Sequence, residues 1–359
     1  MRWKRSRFAF TTMAVLVASA AEWVFPGRGR SEMFVVTDTS VRVFADTADG
    51  NAVPKRSIQG AETLLGVAHS LALDLVHREV FVTAGLTNNS HVLVFAMSDS
   101  GNVAPLRDIS GDQTQLSSPN GIVVDVDADE IWVANGDGDS ITVFRRGANG
   151  NQPPLRTITG GNTTLFGPGQ LFLDKLHHNL FVSDQLGVKV FNSNSSGDIP
   201  PSRTLAGEST QLGGPSGLFL DLSTNELTVA SNDDRVLTFP RTASGDVAPL
   251  RGIDGAATGL DYAEGIVRTT NAEVLVANSG TNGSGLDTLT GYAAGANGNV
   301  SPSRTISGAN PSLDFTNGVT STRALGCAAG FVGTTCIFQD DFQDGDLCRW
   351  AAATSPPSC

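Results

Sequence analysis

Apolar and polar positions along this chain alternate in short blocks rather than in helical turns. Within residues 121–160 the blocks read "GIVVD", "EIWVAN", "SITVF" and "PLRTITG", in that order. Short turns rich in Gly, Asn and Asp separate the first three blocks, and a longer polar stretch precedes the fourth. Blocks of this length are typical of β-strands, and "GIVVD" is apolar enough to be buried on both faces. No stretch beyond the N-terminus shows a helical period, so the pattern predicts an all-β protein.

The four-block unit repeats, and each copy is marked by the motif P-x-R-x-[IL]-x-G. Four strands in a repeat of about 50 residues are typical of a β-propeller, in which each copy forms one blade. A solenoid of stacked β-coils is the alternative, but it usually has shorter repeats and terminal caps, and neither is evident. The motif occurs six times, and its closing glycines lie 47 to 53 residues apart: Gly60, Gly111, Gly160, Gly207, Gly255 and Gly308.

The two ends of the repeat region predict how the ring closes. The chain enters the pattern late, because "EMFVVTDTSVRVF" matches second and third strands and no first strand precedes it. The missing strand follows the last repeat as "TNGVTSTRAL", residues 316–325, which aligns with "PNGIVVD". We therefore predict a six-bladed β-propeller with four-stranded blades, closed by residues 316–325 pairing with residues 33–37.

The N-terminal residues have the pattern of a secretory signal peptide. "MRWKRSR" is basic, "FAFTTMAVLVASA" is apolar, and Ala18-Ser19-Ala20 is a small-residue cleavage pattern. The predicted organisation is a signal peptide at 1–20, a linker at 21–32, the propeller at 33–325 and a cysteine-containing tail at 326–359. This organisation predicts a secreted, periplasmic or cell-surface protein that does not insert into a membrane.

The net charge narrows the classes of binding partner, and the cysteine content predicts disulfides. The formal net charge is −12, and removing residues 1–20, which carry four bases and no acid, makes it −16. A protein this acidic is repelled by nucleic acid and by anionic membrane surfaces. An even number of cysteines in an exported chain predicts disulfides, with three pairings open: Cys327, Cys336, Cys348 and Cys359.

The repeat unit resembles the NHL repeat and its bacterial relatives. The residues that carry the resemblance are "PNGIVVDVDADEIWVANGDGDSITVF", "PSGLFLDLSTNELTVASNDDRVLTF" and "PGQLFLDKLHHNLFVSDQLGVKVF", and it extends over about residues 33–325. The resemblance implies a six-bladed propeller. That family includes ligand-binding modules, scaffolds and a few enzymes such as lyases, and related propellers include metal-dependent lactonases. Fold alone does not choose among these functions.

Two sets of charged residues recur in the repeats and are predicted to be structural. The arginine of each motif is expected to lay its stem on the neighbouring blade and to bind carbonyls or a carboxylate there. An anion-binding belt is the functional alternative. A recurring aspartate at the end of the first strand is expected to cap the following turn. The sets are Arg56, Arg107, Arg156, Arg203, Arg251 and Arg304, and Asp74, Asp125, Asp174 and Asp221.

The candidate site is the mouth of the central channel, which the starts of the first strands should line. The fold does not need a different residue at each of these positions, yet most are polar. We predict a site for a small polar ligand, a glycan or a protein, walled by the loops from Asn135 to Asp139 and from Asn278 to Asp287. In ring order the positions are Asn317, His69, Asn120, Gly169, Ser216 and Glu264, and the predicted ligand-binding residues are His69, Asn120, Ser216, Glu264 and Asn317.

Three interpretations of this mouth stay open. It is a water-filled opening, a binding site, or an acid–base catalytic site if His69 and Glu264 converge. Standard catalytic motifs are absent, so a monomeric binding or scaffold module is predicted ahead of an enzyme, with no cofactor. The resemblance implies the alternative, a calcium-dependent lactonase or other hydrolase, or a lyase. Only Glu264, Asn120 and Asn317 match a carboxylate-and-amide calcium set.

The tail carries two further resemblances. "CAAGFVGTTC" resembles the last loop of an EGF-like module, which implies a Cys327–Cys336 disulfide and leaves Cys348 to pair with Cys359. "IFQDDFQDGDLCRW" resembles a short element found near the C-termini of many secreted bacterial proteins.

Overall fold

The computed structural model describes residues 31–86, 89–269, 272–280, 287–313 and 316–322. These residues form six four-stranded antiparallel sheets, arranged as the blades of a ring. Successive blades are neighbours, because the innermost strand of each packs against the innermost strand of the next. The all-β, six-bladed prediction is confirmed. The proposed signal peptide, most of the linker and all four cysteines lie outside the described residues.

The strand bounds show the same order in every blade. Blade 1 contains β1 (Glu32–Thr37), β2 (Ser40–Ala45) and β3 (Arg56–Gln59). Blade 2 contains β4 (Ala68–Asp74), β5 (Glu79–Ala84), β6 (His91–Ala96) and β7 (Arg107–Ser110). Blade 3 contains β8 (Pro119–Asp125), β9 (Glu130–Asn135), β10 (Ser140–Arg145) and β11 (Arg156–Thr159). Blade 4 contains β12 (Leu171–Asp174), β13 (Asn179–Asp184), β14 (Gly187–Asn192) and β15 (Arg203–Leu205). Blade 5 contains β16 (Pro215–Asp221), β17 (Glu226–Ser231), β18 (Arg235–Pro240) and β19 (Arg251–Ile253). Blade 6 contains β20 (Ala263–Arg268), β21 (Val274–Asn278), β22 (Thr288–Tyr292) and β23 (Arg304–Ile306), and β24 (Thr316–Ser321) follows it. Short 3₁₀ turns lie at Ala61–Thr63, Asp112–Thr114, Gly161–Thr163 and Glu208–Thr210.

The ring closes through β24, which joins blade 1 as its innermost strand. It pairs antiparallel with β1, and the register runs from Met33 opposite Ser321 to Thr37 opposite Thr316. Beyond the strand, the Glu32 amide donates to Thr322 Oγ1 at 2.9 Å. The predicted closure is confirmed, and one blade contains strands from both ends of the repeat region.

The core lies between the faces of successive blades. Blade 2 presents Phe81 and Ile109 to Ile131 and Phe144 of blade 3, and all four side chains are buried. Because each blade is covered on both faces, its middle strands are almost continuously apolar, and β5 buries five successive residues from Val80 to Ala84. Hydrophobic burial between blades therefore holds the ring together.

The repeated arginines are structural, with one correction to their expected partners. Arg156 forms a two-pronged bond with Glu130, 2.5 and 2.8 Å, and its guanidinium lies 4.5 Å from the Trp132 ring centroid. Glu130 belongs to the same blade, whereas the expected carboxylate was on the neighbouring one. The neighbouring blade supplies carbonyls instead, as where Arg56 donates to Met97 O at 2.6 Å. The bidentate geometry locks the fourth strand of a blade to its second.

The repeated aspartates cap turns, as predicted, and also bind the next blade. Asp174 Oδ1 accepts the His177 amide at 3.1 Å, which is the expected cap. The same buried carboxylate lies 3.4 Å from Arg241 of blade 5. Asp74, Asp125 and Asp221 make the corresponding ion pairs with Arg146, Lys175 and Arg268.

A further hydrogen bond, between a side chain and the backbone at the outer edge, links each blade to the next. In all six repeats an Asn or Asp side chain accepts the backbone N–H of the turn after a closing glycine, at 2.7–2.8 Å. The closing glycine must be glycine, as Gly160 shows with φ at +124°. A Cβ there would lie 2.3 Å from the Asp198 carboxyl carbon. The accepting residues are Asn51, Asn102, Asn151, Asp198, Asp246 and Asn299.

Candidate functional site

Irregularities at the start of the innermost strands place the predicted site residues at the channel mouth. The ladder between β4 and β5 skips from Ala68 to Ser70, so His69 has no pairing partner. The same register shift leaves Asn120 and Glu264 unpaired at the starts of β8 and β20. A β-bulge interrupts the regular alternation of side chains and so re-aims the side chain of the unpaired residue. All six ring positions are half-buried, as expected for the wall of an opening.

Three of the predicted residues tie one blade to the next. Asn317 Nδ2 donates to Ala68 O at 2.7 Å, Asn120 Nδ2 to Pro168 O at 3.3 Å, and Ser216 Oγ to Ala263 O at 2.6 Å. Each acceptor immediately precedes the ring position of the following blade. These bonds join blade 1 to 2, 3 to 4, and 5 to 6. Asn120 and Ser216 therefore have structural roles that their sequence positions did not indicate.

His69, Glu264 and Asn317 converge on an aspartate that sequence reasoning missed. Asp38 lies in the two-residue turn between β1 and β2, and its carbonyl accepts the Ala68 amide at 2.9 Å. Its Oδ1 accepts a hydrogen bond from Asn317 Nδ2 at 3.3 Å. The Asp38 charge also acts on His69 and on Glu264. We call these four residues the mouth cluster.

Burial and the Asp38 charge set the protonation of the mouth cluster. Burial, with the nearby Asp38 carboxylate, raises the pKa of Glu264 to about 7. Burial lowers the pKa of His69, and Asp38 only partly opposes that shift. Near neutral pH the cluster thus combines a neutral imidazole, the Asp38 carboxylate and a carboxyl that is about half ionised. His69 Nε2 is buried with no hydrogen-bond partner among the described residues.

A hydrogen bond between two innermost strands lies next to the ring positions. Ser70 Oγ donates to Gln170 Oε1 at 3.0 Å, linking blade 2 to blade 4 past the innermost strand of blade 3. Gly169 contributes no side chain to the ring, but Gln170 beside it reaches across. Blade 2 has Ser70 at the position of Gln170, and the other four blades have glycine there: Gly121, Gly217, Gly265 and Gly318.

Across the described ranges, no group of three or more His, Cys, Asp or Glu side chains is arranged to hold a metal ion. Of the residues matched to a calcium set, Glu264 and Asn317 lie in the mouth cluster, whereas the Asn120 amide donates to Pro168 O. We derive no chemistry through a metal.

Replacing Glu264 with Gln is expected to change how stability depends on pH. Folding raises the pKa of Glu264 from its ordinary 4.5 to about 7, so in this window the folded state binds more protons than the unfolded chain. The carboxyl's contribution is fully present below pH 4.5 and is lost as pH rises through 7. At pH 8 the Glu264→Gln protein should be more stable than the wild type by about 1–3 kcal/mol in urea unfolding.

The matched control for this prediction is Glu208→Gln, since Glu208 is an exposed acid on a 3₁₀ turn. Its stability curve should run parallel to that of the wild type. The advantage of Glu264→Gln should also shrink toward pH 5. A constant difference between this variant and the wild type from pH 5 to pH 8 would contradict the raised pKa.

Comparisons with known proteins identify the fold class. No family model and no curated protein sequence matches the chain. A chain in the crystal structure of a nidogen–laminin complex matches at 16% identity and TM-score 0.58, covering 81% of this chain and 97% of that one. A putative 6-phosphogluconolactonase from Bacteroides fragilis matches at 14% identity and TM-score 0.50, covering 74% and 78%. The WD40 β-propeller domain of Doa1 matches at 10% identity and TM-score 0.50, covering 78% and 83%.

These likenesses show the fold alone, because identities are so low. Together with the blade topology, they establish the protein as a six-bladed β-propeller. The resemblance to NHL repeats stays a prediction. No helix among the described residues is long and apolar enough to cross a membrane.

Proposed function

We propose that this protein is an exported binding module whose mouth cluster receives a cationic, hydrogen-bond-donating group of its ligand. The observation that supports the proposal best is the Asp38 carboxylate at the mouth, which is bonded by Asn317 and whose charge, with burial, raises the pKa of Glu264 to about 7. An ammonium or guanidinium group near both carboxyls would relieve their repulsion and donate charge-assisted hydrogen bonds to Glu264. The exported location rests on the N-terminal sequence pattern.

The remaining members of the cluster suit the same role. Asn317 is held by two acceptors, Ala68 O and Asp38 Oδ1, which orients the Asp38 carboxylate. The neutral His69 ring presents a buried Nε2 that has no partner among the described residues, and a ligand bond to such an atom is stabilising. Binding of a cation should lower the pKa of Glu264, so at pH 6 it should release a proton.

The ligand class is a basic group on a protein or on a small molecule, rather than a glycan. Sugar hydroxyls would also bind carboxylates, but they would not offset the charge of Asp38. The solved structure with nidogen and laminin is a complex of two proteins, and that likeness in fold is consistent with a propeller that binds a protein. Loops on a rigid scaffold are well suited to recognition.

One observation also favours a catalytic alternative. A carboxyl with a pKa of about 7 is suited to general acid–base work, and Glu264 lies in the same cluster as an imidazole. A hydrolase or lyase acting at this mouth is therefore the second candidate. It ranks below binding because no activated nucleophile accompanies the pair in the part of the chain that the structure describes.

Calorimetric titration with n-butylamine and methylguanidine tests the proposal, with n-butanol and methyl glucoside as uncharged controls. Only the cations should bind at pH 6, with proton release, and Asp38→Asn and Glu264→Gln should each weaken binding about tenfold or more. Glu208→Gln should leave binding unchanged. Equal binding by Asp38→Asn and the wild type would overturn the proposal. Lactone hydrolysis by the wild type that Glu264→Gln abolishes would place the catalytic candidate first.

A further inference from the structure

Among the described residues, acidic side chains outnumber basic ones on the face of the ring that holds the mouth cluster. Antiparallel order brings the loop before each first strand and the turn between each second and third strand to this face, here called the mouth face. The described residues of these loops and turns include no Lys or Arg. Arg235, the first residue of β18, lies next to one of the turns and is paired with Asp233 at 2.6 Å. Exposed acids of the mouth face include Glu62, Asp112, Asp137, Asp139, Glu208 and Asp234.

The opposite face is balanced by comparison. There five of the six motif arginines pair with glutamates of their own blades, and Arg203 donates to the Arg241 carbonyl instead. Arg146, Lys175, Arg241 and Arg268 pair with the repeated aspartates. The negative potential of the protein is therefore concentrated on the mouth face. A field of this kind attracts basic partners and repels acidic ones.

Blade 4 adds an apolar element to the mouth face. Phe166 and Leu186 are 51% and 63% exposed, although both lie in short, ordered loops. Buried Asp184 fixes both loops, because its carboxylate accepts the Phe166 amide at 2.6 Å and the Leu186 amide at 3.0 Å. The backbone N–H of Gln185 donates to Phe166 O at 3.2 Å, which keeps the two loops adjacent.

The fold does not require an apolar residue at the Phe166 position. The corresponding residues of blades 2, 3, 5 and 6 are Gly66, Ser117, Gly213 and Asp261. An exposed aromatic residue that is held rigidly beside an exposed leucine is an efficient anchor for a partner, since little conformational entropy is lost on contact.

We propose that a basic polypeptide segment docks across the mouth face, with an apolar side chain against Phe166 and Leu186 and with lysines or arginines over the surrounding acids. The entry of one of its basic side chains into the mouth cluster rests on the function proposed above. Glu264 is a further indication of a ligand, because this half-buried carboxyl has no hydrogen-bond partner among the described residues. A second copy of this chain is a poor occupant, since it would present the same acidic face.

The first test uses fluorescence anisotropy with three labelled peptides of equal length. One contains Lys and Leu, one Lys and Ser, and one Glu and Leu. The Lys–Leu peptide should bind most tightly, the Lys–Ser peptide more weakly, and the Glu–Leu peptide not at all. Binding of both basic peptides should weaken as salt rises from 0.1 to 1 M, where the screening length falls from about 10 to about 3 Å. Failure of the Lys–Leu peptide to bind would overturn the proposal.

The second test locates the surface. The double variant Phe166→Ser, Leu186→Ser should weaken the Lys–Leu peptide about tenfold or more and leave the Lys–Ser peptide unchanged. The control is Leu155→Ser with Leu250→Ser, because these leucines are 48% and 57% exposed but stand at the opposite face. It should bind both basic peptides like the wild type. Thermal melts confirm that each variant is folded.

The outcomes separate the two proposals. Loss of amine binding in Asp38→Asn, with no effect of the Phe166 and Leu186 changes on the Lys–Leu peptide, would leave the mouth-cluster function standing and overturn the docking surface. The reverse result would uphold the surface and overturn the mouth-cluster function. Equal weakening by the Leu155 and Leu250 control would show non-specific adhesion and would overturn the docking surface.

Discussion

A chain that ends at Phe315 should lose the cooperative unfolding transition of the intact ring. The deletion removes β24, which is the innermost strand of blade 1 and the inner neighbour of both β20 and β4. It leaves the edge of β1 without its ladder from Met33 to Thr37 and opens the core around Met33, Val35 and Val267. Native domains are stable by only about 5–15 kcal/mol, so losing a whole buried strand should abolish the closed ring.

The matched control is a chain that ends at Thr322, which keeps β24 and the bonds between Thr322 and Glu32. It should melt like the full-length protein when followed by circular dichroism. Adding a synthetic peptide of residues 316–322 to the shorter chain should restore part of the transition, because the gap in blade 1 has the shape of one strand. A chain ending at Phe315 with an unchanged melting temperature would contradict the closure mechanism.

Replacing Lys189 with Thr should cost about 3–5 kcal/mol of stability, the usual result of leaving one charge of a buried pair without its partner. Lys189 Nζ lies 2.6 Å from Asp184 Oδ1, and the two side chains are 2% and 0% exposed. The pair is close in distance but not aligned as an ideal hydrogen bond. The loss should be measured by urea unfolding at neutral pH.

Other blades provide the design for a compensating variant. At the corresponding positions Asn135 Nδ2 donates to Thr142 Oγ1 at 3.2 Å, and Asn278 Nδ2 to Thr290 Oγ1 at 3.0 Å. Asp184→Asn combined with Lys189→Thr reproduces this neutral pair and should recover about 2 kcal/mol or more of the loss. The exposed pair of Arg235 and Asp233 is the control, and Arg235→Thr should cost under about 1 kcal/mol. Equal stability of the single and double variants would contradict coupling between Lys189 and Asp184.

The sequence by itself determined the architecture, because every blade uses the same local pattern. Turn residues, strand alternation and the motif P-x-R-x-[IL]-x-G recur in each copy, so the repeat predicted six four-stranded blades. The displaced first strand at residues 316–325 predicted closure, since a blade with one strand missing cannot bury both of its faces. The repeated aspartates were correctly expected to cap turns, because that bond is made within a few residues of the chain.

Only the tertiary structure decided which polar residues share a site. Asn120 and Ser216 were predicted to bind a ligand at the mouth, and in the structure their side chains donate hydrogen bonds to carbonyls of the next blade. Asp38 was missed because it lies in a second-strand turn, where no repeat position drew attention to it. It bonds Asn317 and acts electrostatically on Glu264 only because the ring brings residues more than 200 positions apart close together.

The sequence alone also does not indicate which charged side chains pair with one another or how the fold shifts their pKa values. The pattern marked the motif arginines but not the glutamates that pair with five of them, such as Glu130 and Glu226, which begin the second strand of the same blade. Nothing in the local sequence of Glu264 indicates a pKa of about 7, because that value follows from burial and from the charge of Asp38. Local patterns determine strands and turns, whereas packing around a closed ring determines which charges meet and how far water is excluded from them.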